Sequence, residues 1–289
     1  MAKLLLGKEV TAAMNGRIRQ RVEALRETGT VPCLQIIRVG EDPGDLAYER
    51  GAAKRCELLQ VQCLTTALPA DVTQDELLAV IRTANEDDAV HGVLLLRPLP
   101  RHLDANLIEN ALDPRKDVDC MTEASLLGVF TGVQKGYPPC TPQACMEILD
   151  HYGIDCTGKR AVVIGRSLVV GKPAAMMLLG RNATVTVCHT RTADLAACAR
   201  EADILVAAAG RQGIVGPDFL REGQIVLDVG INTDAQGKLC GDVDPEAAEL
   251  KAEAFTPVPG GVGSVTTSVL VEHVVDAAEK QWNKNGKEG

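Results

Sequence analysis

The apolar residues of this chain recur with two alternating periods, and this alternation limits the fold more than any single motif does. Segments with apolar residues every three or four positions predict helices, and short continuous apolar runs predict buried strands. The two kinds of segment follow each other along the chain, as in layered α/β proteins with parallel sheets. The predicted helices are 8–28, 44–60, 73–86, 104–112, 141–152, 170–181, 193–201, 244–252 and 265–283, and the predicted strands are 32–39, 61–66, 91–96, 160–164, 183–188, 203–208 and 225–229.

The stretch GYPPCTPQA, residues 136–144, divides the chain near its middle. Proline fixes its own φ and restricts the residue before it, so this stretch favours a defined linker. A length of 289 residues suits two modest domains or one large one. We therefore predict a domain boundary here.

Charge and hydropathy exclude some classes of partner. The net charge of −9 disfavours wrapping a polyanion, and no basic stripe interleaved with aromatic residues is present, so nucleic acid is not expected to bind. No apolar run reaches the roughly 18 residues of a membrane span. The N-terminal stretch has no small-residue cleavage site, so we expect no membrane association and a cytoplasmic location.

Ten cysteines are scattered through apolar or helical surroundings, without any CxxC pair. Reduced packing residues are the expected state. Cys140, Cys145 and Cys156 lack the paired spacing of a zinc site. No metal is predicted.

The stretch RAVVIGRSLVVGKP reads as a buried strand, a loop and the start of a helix. Glycine lets a backbone approach a pyrophosphate, and the free amides of a helix N-terminus favour its charge. Gly165, Arg166, Ser167 and Gly171 are therefore predicted to bind a dinucleotide. An ordinary tight turn between strand and helix is the alternative.

The end of the next strand indicates which dinucleotide binds. Where an NAD site usually offers an acidic residue to the ribose, this chain has Thr190 and Arg191. Together with Arg166 they indicate a 2′-phosphate, and hence NADP as the cofactor.

Two further strands end in glycine-containing turns at the sheet edge where doubly wound folds bind ligands. Gly210 follows one strand, and Gly230 with Ile231 follows the other. All three are predicted to line the cofactor. Plain turn glycines would look the same.

Four motifs in this order, KDVD, YPPCTP, VIGRSLVVGKP and TPVPGGVGSVTTSVL, resemble the methylenetetrahydrofolate dehydrogenase/cyclohydrolase family over nearly the whole chain. The resemblance implies an α/β fold of two domains separated by a cleft, and a homodimer. Residues 1–140, completed by the C-terminal helix at 265–289, would form the catalytic folate-binding domain. Residues 141–264 would form a Rossmann-like NADP-binding domain with a parallel sheet. Reduced folate would be the substrate.

The resemblance also implies roles for five residues that match the motifs. Asp119 would hold the pterin through its carboxylate, Tyr48 would pack against the folate, and Pro259, Gly260 and Gly261 would close over substrate and nicotinamide. A turn-capping carboxylate, a surface or core tyrosine and turn-shaping residues are the respective alternatives. The structural carboxylate of this segment is predicted to be Asp117.

Two family residues are missing. The family pattern Tyr-x-x-x-Lys puts both side chains about 40° apart on one helix face, but Tyr48 plus four is Ala52. Lys54 lies about 240° round from the tyrosine at 100° per residue. Leu96 stands where relatives carry Gln, and Arg97 where they carry Leu.

These losses affect one activity more than the other. Hydride transfer needs mainly alignment, whereas water attack on the methenyl cation benefits from a positioned amine or base. We therefore predict oxidation of 5,10-methylenetetrahydrofolate with weak or absent cyclohydrolase activity. A bifunctional enzyme using Arg50, Lys54 or Arg97, and a catalytically silent folate- or NADP-binding paralogue, are the alternatives.

Overall fold

The computed structural model describes residues 2–133 and 135–285. This part of the chain forms ten α-helices: α1 (Gly7–Glu27), α2 (Pro43–Leu58), α3 (Gln74–Glu86), α4 (Ala105–Asn110), α5 (Glu123–Thr131), α6 (Cys140–His151), α7 (Gly171–Gly180), α8 (Leu195–Arg200), α9 (Pro245–Lys251) and α10 (Thr266–Asn285). None of these helices is long and apolar enough to cross a membrane.

The strands are β1 (Lys3–Leu4), β2 (Cys33–Val39), β3 (Gln62–Leu68), β4 (Gly92–Leu95), β5 (Arg160–Ile164), β6 (Thr184–Cys188), β7 (Ile204–Ala207), β8 (Ile225–Asp228), β9 (Asn232–Thr233), β10 (Leu239–Cys240) and β11 (Ala254–Phe255). Two single 3-10 turns lie at Pro217–Phe219 and Val262–Ser264. Every helix and strand predicted from periodicity is confirmed to within a few residues. The short strands β1, β9, β10 and β11 and the helix α5 were not predicted.

Two compact units divide the described residues. The six-stranded unit comprises Met1–Ala12 and Thr141–Thr266, and the three-stranded unit comprises Ala13–Cys140 and Thr267–Gly289. The first twelve residues thus belong to the six-stranded unit, whereas residues 13–140 belong to the three-stranded unit. The functional division into a folate-binding and an NADP-binding domain stays a prediction, and residues 286–289 of its C-terminal segment lie outside the described residues.

The six-stranded unit is built on a parallel sheet in the order β1-β11-β8-β7-β5-β6. The chain runs from β5 to β6 on one side and then crosses to β7 on the other side of β5, so the strand order reverses there. Such a reversal leaves a crevice at the carboxyl ends of the strands, where doubly wound sheets bind ligands. The hydrophobic core of the six-stranded unit includes Val162, Leu205 and Val226.

The three-stranded unit carries a parallel sheet in the order β3-β2-β4. The core beside this sheet includes Ile37, Leu77 and Ile81. Helices α1 and α10 are tied together by ion pairs from Arg21 to Asp276 and Glu279. The predicted two-domain α/β class with a parallel sheet is confirmed.

Local sequence explains where the helices begin. The carboxylate of Asp42 accepts hydrogen bonds from the amides of Gly44 and Asp45, and Pro43 occupies the first turn of α2. Thr73 and Glu76 form a reciprocal capping box at α3. The Asp42 cap thus fixes the start of α2, the helix that carries Tyr48.

Candidate functional site

Tyr48 lies in α2 with a half-buried side chain. Its hydroxyl makes no hydrogen bond to another described residue, which leaves it free for a ligand. Burial, and then electrostatic interaction with Asp119 and Cys140, raise the pKa of Tyr48 well above its ordinary value. The phenol therefore stays neutral and offers a ring and an O–H group rather than a base.

Position 52 of the same helix carries no cation. Ala52 follows Tyr48 by one turn and is 0% exposed. Lys54 and Arg50 are both exposed. At position 52, one helical turn after Tyr48, the buried face of α2 therefore carries a methyl group and no amine.

The segment after β4 carries the second departure from the family pattern. Leu96 is 5% exposed, and its amide donates a hydrogen bond to the carbonyl of Ile37 at 2.9 Å. The next residue, Arg97, places Nη1 3.5 Å from Oε1 of Glu109, with about a quarter of each side chain exposed. Leu96 thus continues the backbone pairing of β4 with β2. The side chain after it, Arg97, is a half-buried cation.

Asp117 and Asp119 lie two residues apart but bond differently. Asp117 is fully buried and accepts hydrogen bonds from the amides of Met121 and Thr122 and from the hydroxyls of Thr122 and Ser125. Its oxygens therefore shape the start of α5. This is the structural role that the sequence predicts for it.

Asp119 is half-buried, and its Oδ1 accepts a hydrogen bond from the amide of Cys140 at 3.2 Å. The Cys140 thiol also donates to this carboxylate, and no other described residue does, so some of its roughly four lone-pair positions stay open. Burial raises the pKa of Asp119, while the Cys140 hydrogen bond and the charge of Arg97 lower it. A carboxylate with open acceptor positions suits a ligand that presents N–H donors.

The loop after β5 is folded tightly around its glycines. Gly165 has φ +136°, and a Cβ there would overlap the carbonyl oxygen of Ala208. A Cβ on Gly171 would overlap the carbonyl oxygen of Gly165. Only glycine fits at both positions.

This loop leaves several amides without a partner. The hydroxyl of Ser167 accepts hydrogen bonds from the amides of Val170 at 3.1 Å and Gly171 at 3.4 Å. The amides of residues 166–169 make no hydrogen bond within the described part of the chain. With the exposed Arg166 beside them, they form a cradle for an anion at the start of α7.

A hydrogen-bonded turn follows β6. The amide of His189 donates to the hydroxyl of Thr192 at 2.9 Å, and the amide of Arg191 donates to Nδ1 of His189 at 3.1 Å. Thr190 and Arg191 are both exposed on this turn. They can meet a phosphate without losing a contact inside the chain.

The turns after β7 and β8 are held by two buried aspartates that the sequence analysis missed. Asp242 accepts hydrogen bonds from the amides of Ala209, Gly210 and Arg211 and from the side-chain amide of Asn232. The amides of the β7 turn are therefore already bonded within the protein.

Asp228 holds the β8 turn in the same way. It accepts hydrogen bonds from the amides of Gly230, Asp242 and Val243, each at 3.0 Å. Burial outweighs these bonds and raises the pKa of Asp228 to about 6. The sequence signal was an aspartate within an apolar run, immediately before a glycine turn.

Hydrogen bonding and close packing against these aspartates explain why glycine occurs at positions 210 and 230 without any ligand. Gly210 has φ +62°, and a Cβ on Gly230 would overlap the carboxylate of Asp242. Ile231 is 67% exposed beside them, which is unusual for a large apolar side chain. Contact of these three residues with a cofactor stays a prediction.

The predicted closing loop, Pro259 to Gly261, is anchored at its base. Gly260 has φ +103° and accepts a hydrogen bond from the amide of Gly7 at 2.8 Å. The hydroxyl of Ser264 donates to the carbonyl of Gly261 at 2.7 Å. Pro259 and Gly260 are exposed, whereas Gly261 is buried. Gly7 is a further residue that the sequence analysis missed.

All ten cysteines are free thiols. Burial raises the pKa of Cys33 to about 11 and that of Cys145 to about 12, so both stay protonated at neutral pH. Within residues 2–133 and 135–285, no group of three or more His, Cys, Asp or Glu side chains is arranged to hold a metal ion.

A parallel sheet with a reversal of strand order, and a glycine loop of unbonded amides at that reversal, define a dinucleotide-binding α/β protein. Residues 5–119 match the catalytic domain of tetrahydrofolate dehydrogenase/cyclohydrolase, and residues 139–282 match its NAD(P)-binding domain. The chain belongs to the tetrahydrofolate dehydrogenase/cyclohydrolase family.

Individual relatives agree over nearly full length. The chain is 47% identical to the bifunctional protein FolD of Alkaliphilus oremlandii, covering 98% of this chain and 99% of the relative. The structure of the bifunctional enzyme FolD from Campylobacter jejuni has a TM-score of 0.95 at 41% identity, covering 97% of this chain and 99% of that one. A Trypanosoma brucei methylenetetrahydrofolate dehydrogenase-cyclohydrolase, solved with NADP and an inhibitor, has a TM-score of 0.90 at 34% identity, covering 96% and 98%.

Proposed function

We propose that this protein oxidises 5,10-methylenetetrahydrofolate to the methenyl form with NADP, and that its cyclohydrolase activity is weak or absent. The observation that carries the proposal is Ala52, a fully buried methyl group one helical turn from Tyr48. Leu96 replaces the glutamine that would tune an amine there, and it is buried as well. The neighbouring cations Arg50 and Lys54 are exposed.

The residues that remain suit hydride transfer. This reaction depends on holding two ring systems in contact, because no side chain has to carry the hydride. Tyr48 supplies a neutral ring, and Asp119 supplies open carboxylate positions for N–H donors of the substrate. Hydrolysis of the methenyl cation needs a positioned water as well, and position 52 offers it no polar group.

NADP fits the loop after β5. The unbonded amides of residues 166–169 and the hydroxyl of Ser167 would hold the pyrophosphate, and Arg166 and Arg191 would hold the 2′-phosphate. The bound dinucleotide supplies a hydride acceptor. The Trypanosoma brucei relative solved with NADP supports this choice.

A spectrophotometric assay tests the proposal directly. The purified protein is mixed with 5,10-methylenetetrahydrofolate and either NADP or NAD, while NADPH or NADH and the methenyl product are followed separately. We expect reduction of NADP with accumulation of methenyltetrahydrofolate. Rapid loss of the methenyl band would instead show a bifunctional enzyme, and ligand binding without any turnover would show a silent paralogue.

Restoring the family residues gives a second test. The double variant Ala52→Lys with Leu96→Gln should raise methenyl hydrolysis at least tenfold if a positioned amine is what the site lacks. Ala53→Lys with Leu96→Gln is the matched control, because position 53 lies about 100° further round the helix. Thermal unfolding of both proteins checks that the buried lysine is tolerated. Equal hydrolysis in a folded restored variant and its control contradicts the proposal.

We also propose a homodimer. Strand β3 lies at the edge of its sheet, and its outer side pairs with no other described strand. Leu64 of this strand is 41% exposed, and Leu58 at the end of α2, four residues before the strand, is 47% exposed. The unpaired N–H and C=O groups of an edge strand can form hydrogen bonds with a strand of another chain. Light scattering of the wild type and of Leu64→Lys tests this, with dissociation expected in the variant.

A further inference from the structure

The loop formed by residues 259–263 is held in place through its carbonyl groups. Every carbonyl from residue 260 to residue 264 accepts a hydrogen bond from within the six-stranded unit. Those outside Gly261 bond to the amide of Gly7, the amide of Val265, the hydroxyl of Thr266 and the hydroxyl of Thr11, at 2.8, 2.9, 3.0 and 3.3 Å respectively. The amides of residues 260–263 make no hydrogen bond in the part of the chain that the structure describes. The position of this backbone therefore depends on its carbonyls.

The carbonyl of Gly261 accepts two hydrogen bonds from one residue. Ser264 donates through its amide at 3.1 Å and through its hydroxyl at 2.7 Å. The hydroxyl bond is the shorter of the two, and Ser264 is half-buried. Both lone pairs of the carbonyl oxygen are thus used, so the peptide after Gly261 cannot rotate without losing both bonds.

The first turn of α1 packs against the same carbonyl. A Cβ on Gly7 would lie 2.3 Å from the carbonyl oxygen of Gly261 and 2.1 Å from Oγ of Ser264. Gly261 itself is packed as closely, since its own Cβ would lie 2.5 Å from the carbonyl oxygen of Pro257. The loop therefore has little room to move while the Ser264 hydroxyl bond is present.

The end of the loop lies beside a residue that the sequence predicts to contact the cofactor. A Cβ on Gly263 would lie 3.6 Å from Cδ1 of Ile231, an ordinary van der Waals contact. Ile231 is 67% exposed and follows β8 at the sheet edge where doubly wound folds bind ligands. Pro259 and Gly260 are also exposed. The position of the loop therefore sets the shape of the exposed surface next to Ile231.

We propose that Ser264 is a positioning residue for hydride transfer, whose hydroxyl bond to Gly261 fixes this loop against the nicotinamide and the folate. The inference rests on the proposed function, since it takes the loop as the one that closes over both ring systems. In that reaction a hydride leaves the methylene carbon of the folate and joins the oxidised nicotinamide, which leaves the methenyl cation and NADPH. The rate depends on how well the two rings are held in contact. Ser264 acts on this contact through the loop.

The first test compares Ser264→Ala with the wild type in a single turnover, with enzyme in excess over 5,10-methylenetetrahydrofolate and NADP saturating. We expect the rate constant of NADPH formation to fall roughly fivefold, the factor that one net hydrogen bond represents. The Kd of tetrahydrofolate, measured by calorimetry, should stay within about twofold, because the hydroxyl bonds to the loop itself. A partly unfolded preparation would contain less active enzyme but would keep the wild-type rate constant.

Thr83→Ala is the matched control. The exposed Thr83 of α3 also donates its hydroxyl to a backbone carbonyl, that of Ala79 at 3.0 Å. The variant therefore loses the same kind of bond as Ser264→Ala, at a distance from the loop in sequence. It should keep the wild-type rate constant.

A second pair of variants acts on the same carbonyl from α1. Gly7→Ala forces a methyl group against Ser264 and Gly261, so the rate constant should fall by more than about tenfold. Gly16→Ala, in the same helix with open space around its Cβ, should keep the wild-type rate. The double variant Gly7→Ala with Ser264→Ala should be no slower than Gly7→Ala alone, because both changes displace one carbonyl. Multiplied effects would contradict this shared point of action.

Hydrogen exchange gives a readout that does not depend on turnover. The amide of Gly7 is protected by its bond to the carbonyl of Gly260, and a loosened loop exposes it to solvent. We expect this amide to exchange about fivefold faster in Ser264→Ala than in the wild type. The amides of β5 should keep their wild-type rates, which separates local loosening from general destabilisation.

The outcomes separate the inference from the proposed function. The inference is overturned by an unchanged rate constant in Ser264→Ala, by unchanged exchange at Gly7, or by weaker binding of tetrahydrofolate at a constant rate. Faster exchange at Gly7 in a protein that does not oxidise 5,10-methylenetetrahydrofolate supports the hold of Ser264 on the loop and refutes the proposed oxidation. A wild type that oxidises this substrate, and whose variant does so equally fast, refutes the role of Ser264 alone.

Discussion

Two glycine loops at the same sheet edge of the six-stranded unit bond their amides in opposite ways. After β5, the amides of residues 166–169 have no acceptor among the described residues. After β7, the amides of Ala209, Gly210 and Arg211 all donate to Asp242. In sequence the two loops look alike, because each follows an apolar strand and contains a glycine and an arginine. A glycine turn therefore indicates a ligand site only where no buried carboxylate already accepts hydrogen bonds from its amides.

The largest expected effect concerns Asp242 itself. Asp242→Asn replaces one carboxylate oxygen by an N–H₂ group that faces two of the four donors, and we expect it to lower the free energy of unfolding by about 3–5 kcal/mol. Chemical denaturation measures this loss. Asp218→Asn, an exposed aspartate of the same unit, should change stability by less than about 0.5 kcal/mol. Equal stability of the two variants would remove Asp242 as the support of the β7 turn.

The second prediction concerns the pH dependence of Asp228, which supports the neighbouring turn. Its pKa rises from 3.8 in its ordinary state to about 6 in the fold. The folded state therefore binds the proton more tightly, and the stability that this adds is complete below pH 3.8 and lost as pH rises through 6. The loss is about 3 kcal/mol, from 1.36 kcal/mol per pKa unit.

Denaturation of the wild type and of Asp228→Asn at several pH values isolates this contribution from those of other carboxylates. From below pH 3.8 to above pH 6, the free energy of unfolding of the wild type should fall by about 3 kcal/mol relative to that of the variant. A stability difference that does not vary with pH contradicts the raised pKa.

The third prediction concerns the cofactor loops. Arg191→Gln should raise KM for NADP roughly tenfold and leave KM for NAD unchanged, because only NADP carries the 2′-phosphate. Arg160→Gln is the control, since Arg160 begins β5 at the opposite end of the sheet and pairs with Glu201. Steady-state kinetics with both nicotinamides decides the matter. An equal rise for NAD would place Arg191 elsewhere on the cofactor.

The smallest expected effect is that of Gly210→Ala. The residue has φ +62° with open space where a Cβ would project, so alanine should cost about 1 kcal/mol through its backbone conformation alone. If Gly210 lines the cofactor, as the sequence predicts, KM for NADP rises too. Loss of stability with an unchanged KM would exclude Gly210 from the cofactor site.

Elements with strong local signals were predicted from the sequence, and elements that depend on distant pairing were not. Helix α3 has a capping box and an apolar stripe, and β5 has a run of buried β-branched residues. Strand β1 has two residues, and its partner Ala254 lies about 250 positions away in sequence, so no local pattern marks it. Helix α5 contains Gly128 and lacks a clear apolar stripe, and its cap Thr122 was the available signal.

The candidate site divides in the same way. The sequence placed Gly165 and Ser167 on a loop between a strand and a helix, because residue order alone specifies a turn. It separated Asp117 from Asp119 only through the family motif. Their difference in free acceptor positions depends on donors from Met121, Thr122, Ser125 and Cys140.

The sequence by itself determined the α/β class, the family and the absence of a lysine one turn after Tyr48, because periodicity, motif order and helical spacing are properties of residue order. Only the tertiary structure decided which glycine turns keep their amides free and which carboxylates keep open acceptor positions. Hydrogen-bond donors and acceptors from distant parts of the chain meet only after folding. The pairing of Asp242 with the β7 turn is of this kind.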